Sequence, residues 1–183
     1  MAEARLITLA SCGLVIGGYP RFRYNALGGE ARGEAAEAER GLKQLQFPAS
    51  TITIPALNWR TTRFLGLPLP PGLTIGIQPE QLEGQIHTST GQVELQFRSR
   101  FRFRMGASAG PQLTAPDLVV ETLLTTEAIT SQRHNVRGQR LDQNNRGMLV
   151  GAARVEPCGA AWLDRFLGLP DEALAVLECR FEI

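Results

Sequence analysis

The chain has 183 residues, and its 43% hydrophobic and 20% charged content is that of an ordinary globular domain rather than a disordered chain. Nineteen basic residues against eighteen acidic ones leave a net charge of +1, which argues against a dedicated nucleic-acid binder. No apolar run reaches the roughly 20 residues a spanning helix needs, and the three cysteines are too few and too odd in number for a disulfide framework.

Residues 5–16 are apolar and β-branched enough for a strand, closed by Gly17-Gly18, and a short strand over 21–24 follows Pro20. Within the first segment, Leu9-Ala10-Ser11-Cys12-Gly13 resembles the lipobox of bacterial lipoproteins. The apolar stretch before Cys12 is shorter than a working signal core and the apolar run continues past it, so a plain buried strand is expected. Residues 30–46 are rich in Ala and Glu, with Arg40 and Lys43 late, and this order suits a helix dipole. One surface helix near the N-terminus is therefore expected there, weakened by Gly33 and Gly41. Alternation over 51–54 and the restarts at 73–77 and 83–88 predict three further strands, with Pro68, Pro70 and Pro71 stiffening a connector.

The clearest strand runs over 92–105. Val93, Leu95, Phe97, Phe101, Phe103 and Met105 share one face with the small Ser99, and Arg98, Arg100, Arg102 and Arg104 share the other. Such alternation means one face in a core and one in water. A strand this long is expected to bend at a bulge, and Ser99 is the place. Residues 106–116 read as a loop, 118–130 as a strand, 133–147 as a hairpin turning near Asn144-Asn145, and 148–155 as a strand. Residues 160–167 read as a short helix and 174–183 as a closing strand.

The expected architecture is a single β-rich domain over 1–183: all-β, mainly antiparallel, a barrel or barrel-like sandwich of about eight strands. It carries one N-terminal surface helix and a short C-terminal helix.

An internal echo stands apart from this pattern. Phe64-Leu65-Gly66-Leu67-Pro68 recurs as Phe166-Leu167-Gly168-Leu169-Pro170, each copy preceded by Arg and, nearby, by Trp59 or Trp162. A single repeat excludes a solenoid. The two copies read either as edges that hold a ligand or touch a membrane, or as apolar plugs at the two ends of one core, and the plugs are preferred.

Catalytic motifs are absent. There is no Gly-x-Ser-x-Gly, no phosphate-cradling glycine loop, and neither His87 nor His134 has an evident partner in sequence. The spacing of Cys12, Cys158, Cys179 and the two histidines suggests no metal site, and neither metal nor cofactor is expected. Two functional classes remain. The first is a non-catalytic binder of an apolar or amphiphilic small molecule, lipid- or pigment-like, lined by Phe97, Phe101, Phe103, Met105, Trp59 and Trp162. The second is an adaptor or assembly factor that docks an acidic protein or an anionic membrane surface through Arg98, Arg100, Arg102 and Arg104. Internal compensation of those arginines by neighbouring carboxylates is the competing expectation. An enzyme, with a histidine meeting a carboxylate in a pocket, is a third option. The expected compartment is the cytoplasm, with peripheral contact to a membrane.

One resemblance bears on lineage. Leu118-Val119-Val120-Glu121, Leu124-Thr125-Thr126-Glu127, Gly138, Leu149-Val150-Gly151 and Phe166-Leu167-Gly168-Leu169-Pro170 with Glu172-Ala173-Leu174 resemble a family of uncharacterised proteins of cyanobacteria and chloroplasts. The likeness covers roughly the C-terminal third to half. It implies a photosynthetic lineage and a role near thylakoids, and it brings no catalytic residues.

Overall fold

Alternating side chains decide most of this structure, a computed structural model that describes residues 1–106 and 110–183. Strand accounts for 59% of it and helix for 6%. In chain order the strands are β1 (Ala2–Thr8), β2 (Cys12–Ile16), β3 (Phe22–Tyr24), β4 (Glu30–Glu39) and β5 (Leu42–Gln46). There follow β6 (Thr62–Phe64), β7 (Leu67–Pro68), β8 (Leu73–His87), β9 (Gln92–Gly106) and β10 (Gln112–Thr114). The last are β11 (Leu118–Thr125), β12 (Ala128–Thr130), β13 (Asn135–Arg137), β14 (Arg146–Val155) and β15 (Asp171–Glu182), with helix α1 (Ala161–Leu167) before β15.

Eight of these strands pair antiparallel in the order β1-β4-β5-β8-β9-β11-β14-β15. The far half of β15 then pairs with β1, from Arg5↔Glu182 to Thr8↔Cys179. Its near half pairs instead with β2, which carries the sheet on through β3, β6 and β7. The sheet is thus barrel-like: it returns to its first strand at one end and runs into a short ribbon at the other. Among the described residues no helix is long and apolar enough to cross a membrane.

The interior divides in two along the barrel. At the β1–β4–β5 end, Leu45, Ile86, Val93, Leu95, Leu149 and Phe181 are almost wholly buried in one cluster. At the other end Leu57, Leu73, Phe103, Leu118 and Val155 pack with Leu163 and Leu167 of α1. Outside the barrel, the β12–β13 ribbon covers Val150, Leu174 and Val176. Both faces of β14 are therefore covered, which is why 148–155 is apolar almost throughout.

The expected N-terminal helix is not there. Residues 30–46 form the β4–β5 hairpin, turning at Arg40-Gly41, with Gly41 at φ 81°. Ala31, Gly33 and Ala35 take the inward positions, while Arg32, Glu34 and Glu37 face solvent. A methyl group at Gly33 would overlap the Gln46 carbonyl oxygen, so the strands approach as closely as they do only because this position is glycine. Pairing with β1 on one side and β5 on the other overrides the helical propensity of Ala and Glu.

Smaller differences follow from the same pairing. Residues 73–77 and 83–88 belong to one strand, β8. The register against β9 shifts between Pro79 and Gln81, opposite Ser99, so the bulge lies where the bend was expected but the extra residue, Glu80, is on the partner strand. In place of a strand over 51–54 there is one turn of 3₁₀ helix at Ala49–Thr51, after which Thr53 bridges Glu30. The segment 118–130 is two strands, β11 and β12. The loop over 106–116 contains β10, and its residues 107–109 lie outside the described residues.

Candidate functional site

The alternation of β9 delivers Phe97, Phe101, Phe103 and Met105 to the inside of the barrel. Together they form one wall of an apolar cavity of about 430 Å³. The opposite wall comes from β14 and β15, and it is made of small residues. Gly151 lies opposite Ala175, and Ala153 opposite Ala173, so two register pairs present at most a methyl group where the strands face the phenylalanines. Toward the other end of the same strands the pair is Leu149↔Leu177, and there the larger side chains narrow the interior. The cavity therefore arises from a change in side-chain volume along two paired strands.

A second pocket of about 100 Å³ adjoins it and shares Leu14, Phe97, Phe101, Leu124, Ala175 and Leu177 with it. Polar groups on the main wall are few and already engaged: Thr122 Oγ1 donates to the Ala152 carbonyl at 2.8 Å, and the Tyr19 hydroxyl donates to the Phe166 carbonyl. Such a lining recognises shape and apolar surface and makes no demand for hydrogen bonds.

The mouth is aromatic. Phe64 and Phe166, equivalent residues of the two Phe-Leu-Gly-Leu-Pro copies, both line the cavity. Tyr19 joins them, with ring centroids 6.3 Å from Phe64 and 6.1 Å from Phe166. Phe22 stacks on Phe64 at 4.6 Å. The two copies thus meet across one opening instead of plugging opposite ends of the core, which corrects the preferred sequence expectation. Trp59 and Trp162 are corrected as well. Neither lines the cavity: Trp59 is exposed under the Arg60 guanidinium, and Trp162 packs half-buried against the cluster around α1. The small residues of β14–β15 and the Tyr19–Phe64–Phe166 mouth escaped sequence reasoning, although the echo already contained both phenylalanines.

Arg98, Arg100, Arg102 and Arg104 project outward from β9, as the alternation requires. Three of them meet the protein's own carboxylates. The bulged Glu80 bridges Arg98, at 3.4 Å, and Arg100. Arg102 holds Asp117 in a two-pronged contact of 3.0 and 3.2 Å, and this hydrogen bonding keeps the Asp117 carboxyl below the usual carboxylate range. Glu121 stands 3.9 Å from Arg98. Among the described residues only Arg104 of the four makes no ion pair. Gly76, opposite Arg102, leaves a shallow depression between Arg100, Arg102, Arg104 and Thr74.

The histidines and cysteines lie away from these features. His87 ends β8 and His134 sits in the β12–β13 turn, and neither lines the cavity. Burial pushes the Cys179 thiol up to about 12 and raises that of Cys12, so neither is a ready thiolate. Comparison with protein-family models, with curated proteins and with solved structures returned no match.

Proposed function

We propose that the chain is a non-catalytic carrier of an apolar or amphiphilic small molecule, lipid- or pigment-like. The observation that carries this reading is the cavity itself: about 430 Å³ walled by Phe97, Phe101 and Phe103 on one side and by Gly151, Ala153, Ala173 and Ala175 on the other. That volume falls within the range of small-molecule sites. An occupant supplies the dispersion contacts that these facing walls are too far apart to make with each other. Among the described residues no Asp, Glu, His, Lys, Arg or Cys side chain lines the cavity, and the Tyr19 hydroxyl at its mouth is already donated to the Phe166 carbonyl, so the chemistry it offers is sequestration.

The adaptor alternative has less support, because the carboxylates of Glu80, Glu121 and Asp117 already answer three of the four ladder arginines. The test is native mass spectrometry of freshly purified protein, followed by titration of the solvent-extracted chain with an uncharged apolar fluorophore such as N-phenyl-1-naphthylamine. The expected result is a co-purifying apolar species, or saturable uptake of one probe per chain. Absence of both overturns the carrier reading.

A further inference from the structure

The ribbon β3–β6–β7 has an inner and an outer face with different chemistry. Inward, Phe22 and Phe64 stack at the cavity mouth. Outward, Arg23 stands directly opposite Arg63, a like-charge pair that sheets normally avoid. Arg21 joins them on the outer face, its guanidinium lying over Gly13, where a side chain would collide with it. Arg60 stacks on Trp59 at 4.9 Å, and Arg63 donates to the Trp59 carbonyl at 2.6 Å. Among the described residues none of these four arginines makes an ion pair, unlike Arg98, Arg100 and Arg102.

The tip of the same ribbon is apolar. Phe64 pairs with Leu67 around a two-residue turn, Leu65-Gly66, with φ 52° and 79°. Both central residues have the positive φ of a type I′ turn, a place for Asn-Gly. Here a leucine occupies the strained position and is 71% exposed, with Leu67 beside it 69% exposed. Phe166, 49% exposed, flanks the opening on the other side.

We infer that this ribbon docks the protein on a bilayer surface bearing anionic headgroups, with Leu65 and Leu67 entering the acyl boundary. Arg21, Arg23, Arg60 and Arg63 then lie at headgroup level, and Trp59 sits at the depth that amphipathic aromatic rings favour. Four cations without internal counter-ions flank an apolar tip, and an anionic lipid surface supplies both complements at once. An acidic protein would answer the arginines but not two leucines presented on a hairpin tip. The inference builds on the carrier reading, for it places the cavity mouth against the phase from which an apolar cargo would enter.

Co-sedimentation with vesicles tests it, using phosphatidylcholine alone and phosphatidylcholine with about a third phosphatidylserine. The intact chain is expected to bind the anionic vesicles and to be released by salt. Arg23→Gln and Arg63→Gln should each weaken binding about fivefold. Leu65→Asn should weaken vesicle binding while raising the melting temperature, since Asn relieves the turn; a purely structural role for Leu65 predicts only the second change. None of these variants alters the cavity, so probe uptake should stay as in the parent. Vesicle binding without probe uptake would sustain the docking surface and remove the carrier reading. Equal binding to neutral and anionic vesicles, unchanged vesicle binding by Leu65→Asn, or binding to poly-glutamate but not to vesicles would overturn the docking surface.

Discussion

Ala153→Leu and Ala35→Leu form a pair of identical chemical changes for which the structure predicts opposite signs. Both alanines are buried, but Ala153 lines the cavity, whereas Ala35 packs in the cluster behind β4 and β5 and lines neither pocket. At Ala153 the leucine adds three carbons to apolar space, worth about 2 kcal/mol of burial at roughly 0.8 kcal/mol per methylene. Loss of side-chain freedom offsets about 0.5–1 kcal/mol of that. The net expectation is a gain of about 1–1.5 kcal/mol. At Ala35 no space awaits the side chain, and overpacking costs about 1–3 kcal/mol. Urea unfolding measures both, read as a change in midpoint at constant slope. Probe titration supplies the second axis: Ala153→Leu should lose uptake and Ala35→Leu should keep it. If Ala153→Leu is destabilised as much as Ala35→Leu, the β14–β15 wall is packed in solution and leaves no cavity beside Ala153. A stabilised Ala153→Leu that still takes up the probe unchanged would show that the probe binds elsewhere.

Three further outcomes follow from particular contacts. Gly33→Ala should destabilise by about 1–3 kcal/mol by thermal or urea unfolding, because its methyl meets the Gln46 carbonyl; a helix there would instead gain from the same change. Ser99 Oγ is buried with no hydrogen-bond partner among the described residues, so Ser99→Ala should leave the melting temperature unchanged or raise it, and a clear loss would reveal a partner for the hydroxyl. Hydrogen bonds from Arg102, Arg133 and Arg140 hold Asp117, Asp171 and Glu127 below the usual carboxylate range. These contributions are present above the unfolded-state carboxylate pKa values and are lost as the pH falls through that range and on to the lowered native values. Melting temperature should therefore fall on acidification below about pH 5, and Asp171→Asn should flatten that dependence.

What could be read from the chain depended on contrast between neighbouring positions. In β9 apolar side chains alternate with charged or amide ones, interrupted on the apolar row by the small Ser99, so strand, face and even the place of the bulge are legible. In β4 the inward set is Ala31, Gly33 and Ala35, and alternation of small against charged residues is hard to distinguish from an Ala- and Glu-rich helix. Only the pairing of β4 with β1 and β5 decides it, and that pairing is non-local. The cavity divides in the same way. Its aromatic wall lies on one strand and was visible as a row. Its small wall depends on Gly151 and Ala153 meeting Ala175 and Ala173 in register, and no single segment carries that information. The echo is visible in the sequence, but of its aromatic residues the sequence points to Trp59 and Trp162, not Phe64 and Phe166, as the cavity-lining ones. The tryptophans fall on the turn before β6 and in the first turn of α1, whereas Phe64 and Phe166 are the residues that reach Tyr19.

The strand pair β14–β15 lets one sheet serve two purposes. From Gly147↔Cys179 through Leu149↔Leu177 its inward residues join Leu95, Ile86 and Phe181 in a closer-packed interior that holds the smaller pocket of about 100 Å³. Two residues farther along, the same register presents Gly151↔Ala175 and then Ala153↔Ala173, and the interior opens. The backbone ladder is continuous across this change, so the wall of the cavity is held by hydrogen bonds anchored in the packed half. Truncation of Leu149 to Ala should therefore act on stability, at about 2–5 kcal/mol, and leave the mouth intact. Substitution at Ala153 should act on binding. Because the ribbon that carries Leu65 joins the sheet through β2 at the open end alone, its exposed leucines and uncompensated arginines can vary without disturbing the half that keeps the protein folded.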